Sequence, residues 1–164
     1  MSNKIESTRR LVELQGFYGI ADKDLHSIDI GLRTATAFCA ALSAAATLTA
    51  SSTLFWVLLP FALGGVVLNG NPFDAVYNHG IRHWIKGPII PRYPMPRRFA
   101  CLVATLFVIA AAISFQSGWT LSGQIIGGSL AVAALVPTVT GFCIPSFIFR
   151  LVTGKLKISW AVTA

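Results

Sequence analysis

Two long runs, residues 34–73 and 99–149, contain no charged side chain, and every Lys and Arg lies outside them, in residues 1–33, 82–98 and 150–157. A helix needs roughly 20 apolar residues to cross a bilayer, so each run has room for two crossings and a turn. The pattern predicts an all-α membrane protein with four transmembrane helices, at 30–50, 53–68, 99–115 and 121–142, arranged as two hairpins. Ser51 and Ser52 turn the first hairpin, and residues 116–120 turn the second.

Outside the runs, apolar residues recur with helical spacing, which predicts short interfacial helices on the cytoplasmic side. Leu11, Leu14 and Tyr18 share one side of an N-terminal helix. Asn71, Pro72 and Asp74 read as a helix start. After it, Phe73, Val76, Tyr77, Ile81 and Trp84 form an apolar side opposite Asp74, Asn78, Arg82 and Lys86. Pro88, Pro91, Pro94 and Pro96 predict an extended basic strap carrying Arg92, Arg97 and Arg98 into the third span. Ile148, Leu151 and Val152 continue the fourth span into a tail closed by Lys155 and Lys157. The organisation is a cytoplasmic N-terminal segment (1–29), a transmembrane domain (30–150) enclosing a cytoplasmic loop (71–98), and a basic tail (151–164).

Close helix contact in lipid relies on small residues. Ala37, Ala41 and Ala45 supply such a face on the first span, and Gly123, Gly127 and Gly128 offer one on the fourth, against that alanine face or a second copy. Pro60, followed by Gly64 and Gly65, and Pro137 bend their helices, with shape-fitting or a cavity as the result. The two halves look loosely like a duplicated hairpin.

Composition agrees with the pattern: 54% hydrophobic, 12% charged and a mean hydropathy of +0.68 over 164 residues, where an ordinary soluble domain has roughly 25% charged residues. The net charge of +7 sits beside the apolar runs, where it sets orientation and meets anionic headgroups, so no nucleic-acid partner is expected. Both termini and the loop are read as cytoplasmic, with the first helix as an uncleaved insertion signal. Trp56 and Trp119 mark the outer boundary and Trp84 the inner one.

Candidate chemistry is sparse. His79 and His83 are weak metal candidates, with Asp74 and His26 as further ligands; a polar interface face is the preferred reading of them. Cys39, Cys101 and Cys143 all fall in the cytoplasmic part of their helices, and Arg97, Arg98 and Arg150 are placed to favour a Cys143 thiolate. No span contains an acid, which argues against proton-coupled transport, and a passive solute channel lacks a polar stripe. No cofactor is predicted.

Ile28, Asp29, Ile30 and Arg33, then Asn71, Pro72, Phe73 and Asp74, then Pro96 to Cys101, then Gly141, Phe142 and Cys143 together resemble a bacterial integral membrane family, the domain of unknown function numbered four-three-nine-five. The resemblance covers approximately 27–150 and implies a four-helix protein of the bacterial inner membrane with no assigned activity. It also implies a second cysteine three positions after Cys143; this chain has Ser146 there, after Pro145, so the resolving thiol of a redox pair is missing and Cys143 acts alone or through a mixed disulfide. The leading expectation is a non-enzymatic accessory or scaffolding subunit that meets anionic lipid and other membrane subunits through Phe73, Trp84, Arg92, Arg97 and Arg98. The alternative is a membrane thiol enzyme or sulfur or redox carrier, with Cys143 as nucleophile and Cys101 or Cys39 as second thiol.

Overall fold

A computed structural model of the chain describes residues 2–68, 70–85 and 87–153, and among these every regular element is helical. Lys86 and the tail cations Lys155 and Lys157 lie outside the described residues. In chain order the helices are α1 (Ser2–Leu14), α2 (Asp22–Leu48), α3 (Ser52–Val67), α4 (Asp74–Val76), a π-helical turn (Tyr77–Ile81), α5 (Arg82–Ile85), α6 (Met95–Gln116), α7 (Thr120–Thr140) and α8 (Ile144–Val152). Three of them, α2, α6 and α7, are long and apolar enough to cross a membrane, while the apolar α3 has 16 residues, about 24 Å of helix.

Helix α2 starts well before residue 30 because Asp22 and Asp24 in its first turn complement the positive end of the helix dipole. Its C-terminus is closed at Ala50, whose φ of 48° lets Ser51 N–H donate to Ala46 O at 2.9 Å. Gly118, at φ 78°, closes α6 the same way, with Trp119 N–H on Ser114 O at 2.9 Å. Ser52 Oγ donates to Ala112 O at 2.9 Å and Trp56 Nε1 to Gln116 Oε1 at 3.3 Å. Both turns therefore lie at one end.

The most extensive packing joins α3 to α6 and α2 to α7, and α6 also packs on α7. Between them runs a core that includes Ala46, Phe55, Leu58, Val108, Ala111 and Leu130. Ala41 and Ala45 are exposed and Ala37 is half-buried, so the alanine face expected at the helix contact is turned away from it. The α7 glycines behave differently: Gly123 and Gly127 are buried against Phe115 and against Thr47 and Phe55 of their own chain, and Gly128 has open space around it.

At the end opposite the turns, the segments read as interfacial build a second core from Val12, Phe17, Leu25, Ile28, Leu32, Tyr77, Ile90 and Tyr93. Several expectations are corrected here. On α1 it is Val12 that is fully buried, while Tyr18 is exposed. The expected apolar side of 73–84 splits: Phe73 and Tyr77 are buried, while Val76, ahead of the π-helical turn, is exposed, and Trp84, beyond it, is exposed because the wider turn rotates the residues that follow. The strap folds inward at Ile90 and Tyr93, and Met95 already opens α6, with Pro96 in its first turn. Ile90 reaches Gly31 so closely that a Cβ there would lie 2.8 Å from Ile90 Cδ1. Residues 144–152 do not continue the fourth span, since Gly141 at φ 75° ends α7 and α8 is a separate helix.

Candidate functional site

A cavity of about 360 Å³ lies between these two cores, and its walls include Cys39, Cys101, Cys143, Tyr93 and Arg97. The three cysteines expected at similar depth thus share one chamber, with the guanidinium expected near Cys143. Most of the remaining wall is apolar, from Ala35, Leu58, Ala104, Phe107 and Leu130. Pro137 also lines it; lacking an N–H, it cannot bond the Ala133 carbonyl within α7. The proline expected either to shape the bundle or to flank a cavity does the latter.

The local backbone seats Cys101 and Cys143. A Cβ on Gly65 would lie 2.5 Å from Cys101 Sγ, so only glycine leaves room for that sulfur against α3. Cys143 is the residue before the first turn of α8 and is buried. Ser146 Oγ lies 3.2 Å from Cys143 Sγ and 3.1 Å from Pro96 O. One hydroxyl proton cannot serve both acceptors. With Cys143 as a thiol, the S–H is free to donate to Ser146 Oγ while Ser146 donates to Pro96 O; with a thiolate, the Ser146 proton turns to sulfur.

Arg97 is the only cation among the described residues that lines the cavity, and it is 4% exposed. It donates from Nη1 to Gln15 Oε1 and from Nη2 to Leu32 O at 3.1 Å, and its Cζ lies 5.4 Å from the Tyr93 ring centroid. Gln15 in turn donates to Gly141 O at 2.9 Å. Every one of these partners is neutral. Among the described residues no carboxylate forms an ion pair with Arg97; on α2 an ion pair joins Arg33 to Asp29 at 2.8 Å, with Arg33 also donating to Val139 O at 2.7 Å. Asp74 is buried, accepting from Tyr93 Oη at 3.1 Å and Asn71 N at 3.0 Å. Burial raises its carboxyl above the usual range, opposed by the Tyr93 hydroxyl, the charge of Arg97 and the Asn71 N–H. Burial also pushes the Tyr93 phenol up, against the pull of Arg97, which keeps Tyr93 a donor.

The other predicted positions scatter. Phe73, expected against lipid or a partner, is 7% exposed and stacked between Phe61 at 4.5 Å and Phe38 at 5.5 Å. Arg97, expected at headgroups, is the buried cation just described, because the start of α6 at Met95 turns it inward while Arg92 stays exposed. Arg98 is half-buried, with Nε on Tyr93 O at 3.2 Å. Trp84 is almost wholly at the surface, and His79 and His83 are exposed. Among the described residues no three His, Cys, Asp or Glu side chains gather closely enough to hold a metal ion. Sequence reasoning missed Gln15, Tyr93 and the positive role of Ser146. A polar residue beside an apolar stripe was the only signal for Gln15, and a tyrosine inside a proline run the only one for Tyr93.

The residue runs that carry the family resemblance converge on this end of the molecule: Asp29 with Arg33, Asn71 with Asp74, Arg97 with Cys101, and Gly141 with Cys143. A family model described as Domain of unknown function (DUF4395) matches residues 29–153. No curated protein and no solved structure matches the chain.

Proposed function

The chain belongs to the family described as Domain of unknown function (DUF4395), and on that premise we propose that it is a bacterial inner-membrane thiol protein working at its cytoplasmic end. In this reading α2, α3, α6 and α7 are four spans in two hairpins, both termini are cytoplasmic, and the second core sits at the inner boundary of the bilayer. The absence of Lys and Arg from the two turns, against thirteen elsewhere, supports that orientation. The single observation that carries the thiol assignment is the shared chamber: three cysteines around a buried guanidinium that lacks a carboxylate partner. Arg97 shares the cavity wall with Cys143, and a neighbouring cation is the kind of group that favours an attacking thiolate.

The step that fits is thiol–disulfide exchange. The Cys143 thiolate attacks one sulfur of a disulfide substrate; a Cys143 mixed disulfide forms as the substrate S–S bond breaks, and one substrate thiolate leaves. The Cys101 thiolate then displaces the second half, leaving a Cys101–Cys143 disulfide and a substrate that has gained two electrons. In protein purified in mild detergent, a small apolar maleimide is expected to modify Cys143 before Cys39, and Cys143→Ser to remove that fast phase. An inert Cys143 overturns the reading. In the same assay Ser146→Cys, at 3.2 Å from the Cys143 sulfur, is expected to oxidise to an internal disulfide that blocks the fast phase.

One observation favours the accessory-subunit reading alongside: Trp84 is 92% exposed, with Ile85, Ile89 and Met95 also uncovered nearby, a patch that lipid or another subunit would cover. Purification at native abundance with no copurifying subunit sinks that reading.

A further inference from the structure

We infer that the cavity is a binding site for a small amphipathic acid, an apolar body with one anionic head, whose head pairs with Arg97 and whose tail runs between α6 and α7. The inference rests on the cavity being the functional site, as proposed above, though not on Cys143 being a nucleophile.

Charge is the first argument. A buried ion is normally paired, because neutral dipoles recover only part of the hydration it has lost. Arg97 is buried with a side-chain amide, a backbone carbonyl and an aromatic face, none of which carries a negative charge. Asp74 is near enough to be felt, yet its oxygens accept from Tyr93 and Asn71 and, among the described residues, it forms no ion pair with Arg97. The chamber therefore holds, at one end, a positive charge with no anionic group in direct contact, and an anionic head supplies that contact.

Shape is the second argument. Along α6 the wall extends from Arg97 to Phe107, about 15 Å at 1.5 Å per residue; along α7 it extends from Pro137 to Ser129, about 12 Å. The chamber is thus longer than a headgroup, and beyond Arg97 and the thiols its walls are largely aliphatic and aromatic. Its volume of about 360 Å³ falls at the small end of the roughly 300–1,000 Å³ range of ligand pockets. Phe107 and Ser129, at the far end, are both exposed. They form a rim between two helices long and apolar enough to cross a membrane, so a tail enters sideways from the bilayer while the head travels inward to the guanidinium. A fully polar solute has no such path, and a neutral lipid leaves Arg97 unpaired.

The test uses the full chain in nanodiscs of zwitterionic lipid, with radiolabelled decanoate and decanol as probes. Decanoate is expected to bind at least about tenfold more tightly than decanol, the value of one charge-assisted contact. Arg97→Gln is expected to erase that preference and Arg92→Gln, at an exposed arginine outside the cavity wall, to keep it. Equal affinities in the wild-type protein, or a preference that survives in a folded Arg97→Gln protein, overturn the inference. Should Arg97→Gln fail to fold, photo-crosslinking of the wild type with a diazirine decanoate decides: label on Phe107, Ser129 or Ala133 supports the site, and label elsewhere overturns it. A preference for decanoate with an inert Cys143 removes the thiol reading alone, whereas a reactive Cys143 without that preference removes the ligand.

Discussion

Arg97→Ala is expected to lower the unfolding free energy by about 3 kcal/mol and to slow modification of Cys143 at least tenfold. The stability loss comes from what the guanidinium holds together. Its two bonds reach Gln15, at the end of α1, and the Leu32 carbonyl of α2, and its face rests on Tyr93, so one side chain ties four segments of the chain at a single point. Without it, two buried acceptors lose their donors, at about 1–3 kcal/mol each, and a desolvated cation–π contact of about 2 kcal/mol goes too. Relief from burying an unpaired charge works in the opposite direction, which brings the net effect below the lower bound of that sum, to about 3 kcal/mol. Gln15→Ala separates the two roles. It removes the strut between Gly141 and Arg97 and leaves the charge, so stability should fall by about 1–2 kcal/mol while Cys143 stays reactive. Thermal unfolding in detergent and the alkylation rate read the two quantities independently. An Arg97→Ala protein that melts like the wild type would show that the buried guanidinium ties nothing together.

The long apolar helices were legible because soluble domains rarely contain a bilayer-length run without charge, and the ends of α3, α6 and α7 fall within a few residues of the expected boundaries. The second core was not. Its members are spread over α1, α2, the π-helical turn and the proline strap, and each fragment alone shows only the weak amphipathicity of a segment lying on a surface. Only their mutual contact distinguishes a small core from a set of interfacial helices. The fate of the three strap arginines illustrates the same limit. Arg92, Arg97 and Arg98 are equivalent by sequence, but α6 begins at Met95 rather than at residue 99, and that shift aims Arg97 into the cavity while Arg92 remains outside. The cysteines were legible as a group because the predicted spans place all three toward the same side, and they do share a chamber. Ser146 was read as the loss of a thiol; the hydroxyl in its place touches the Cys143 sulfur, a relation that spacing alone does not disclose.

Gly127→Leu and Gly128→Leu, one position apart on α7, are expected to behave oppositely, with a loss of about 3 kcal/mol in the first and little change in the second. Gly127 faces its own chain: a Cβ there would contact Thr47 Oγ1 and lie 2.8 Å from Phe55 Cζ. Neither neighbour can yield. Thr47 is held by its bond to Ser43 O at 2.7 Å, and Phe55 is fully buried and stacked on Phe115 at 5.8 Å. Phe115 itself is wedged against Gly123, where a Cβ would lie 2.8 Å from its ring. The pair Gly123 and Gly127 therefore serves the contact of α7 with α2, α3 and α6, in keeping with the close backbone approach that helices in lipid rely on, and neither glycine is available to a second copy. Gly128 has nothing within 4 Å of the position its Cβ would take, and leucine there gains helix propensity over glycine. Comparing the two melting temperatures in one detergent decides the matter. If Gly128→Leu is the variant that collapses, the open side of α7 is an occupied interface between chains and the packing of the bundle must be redrawn around it.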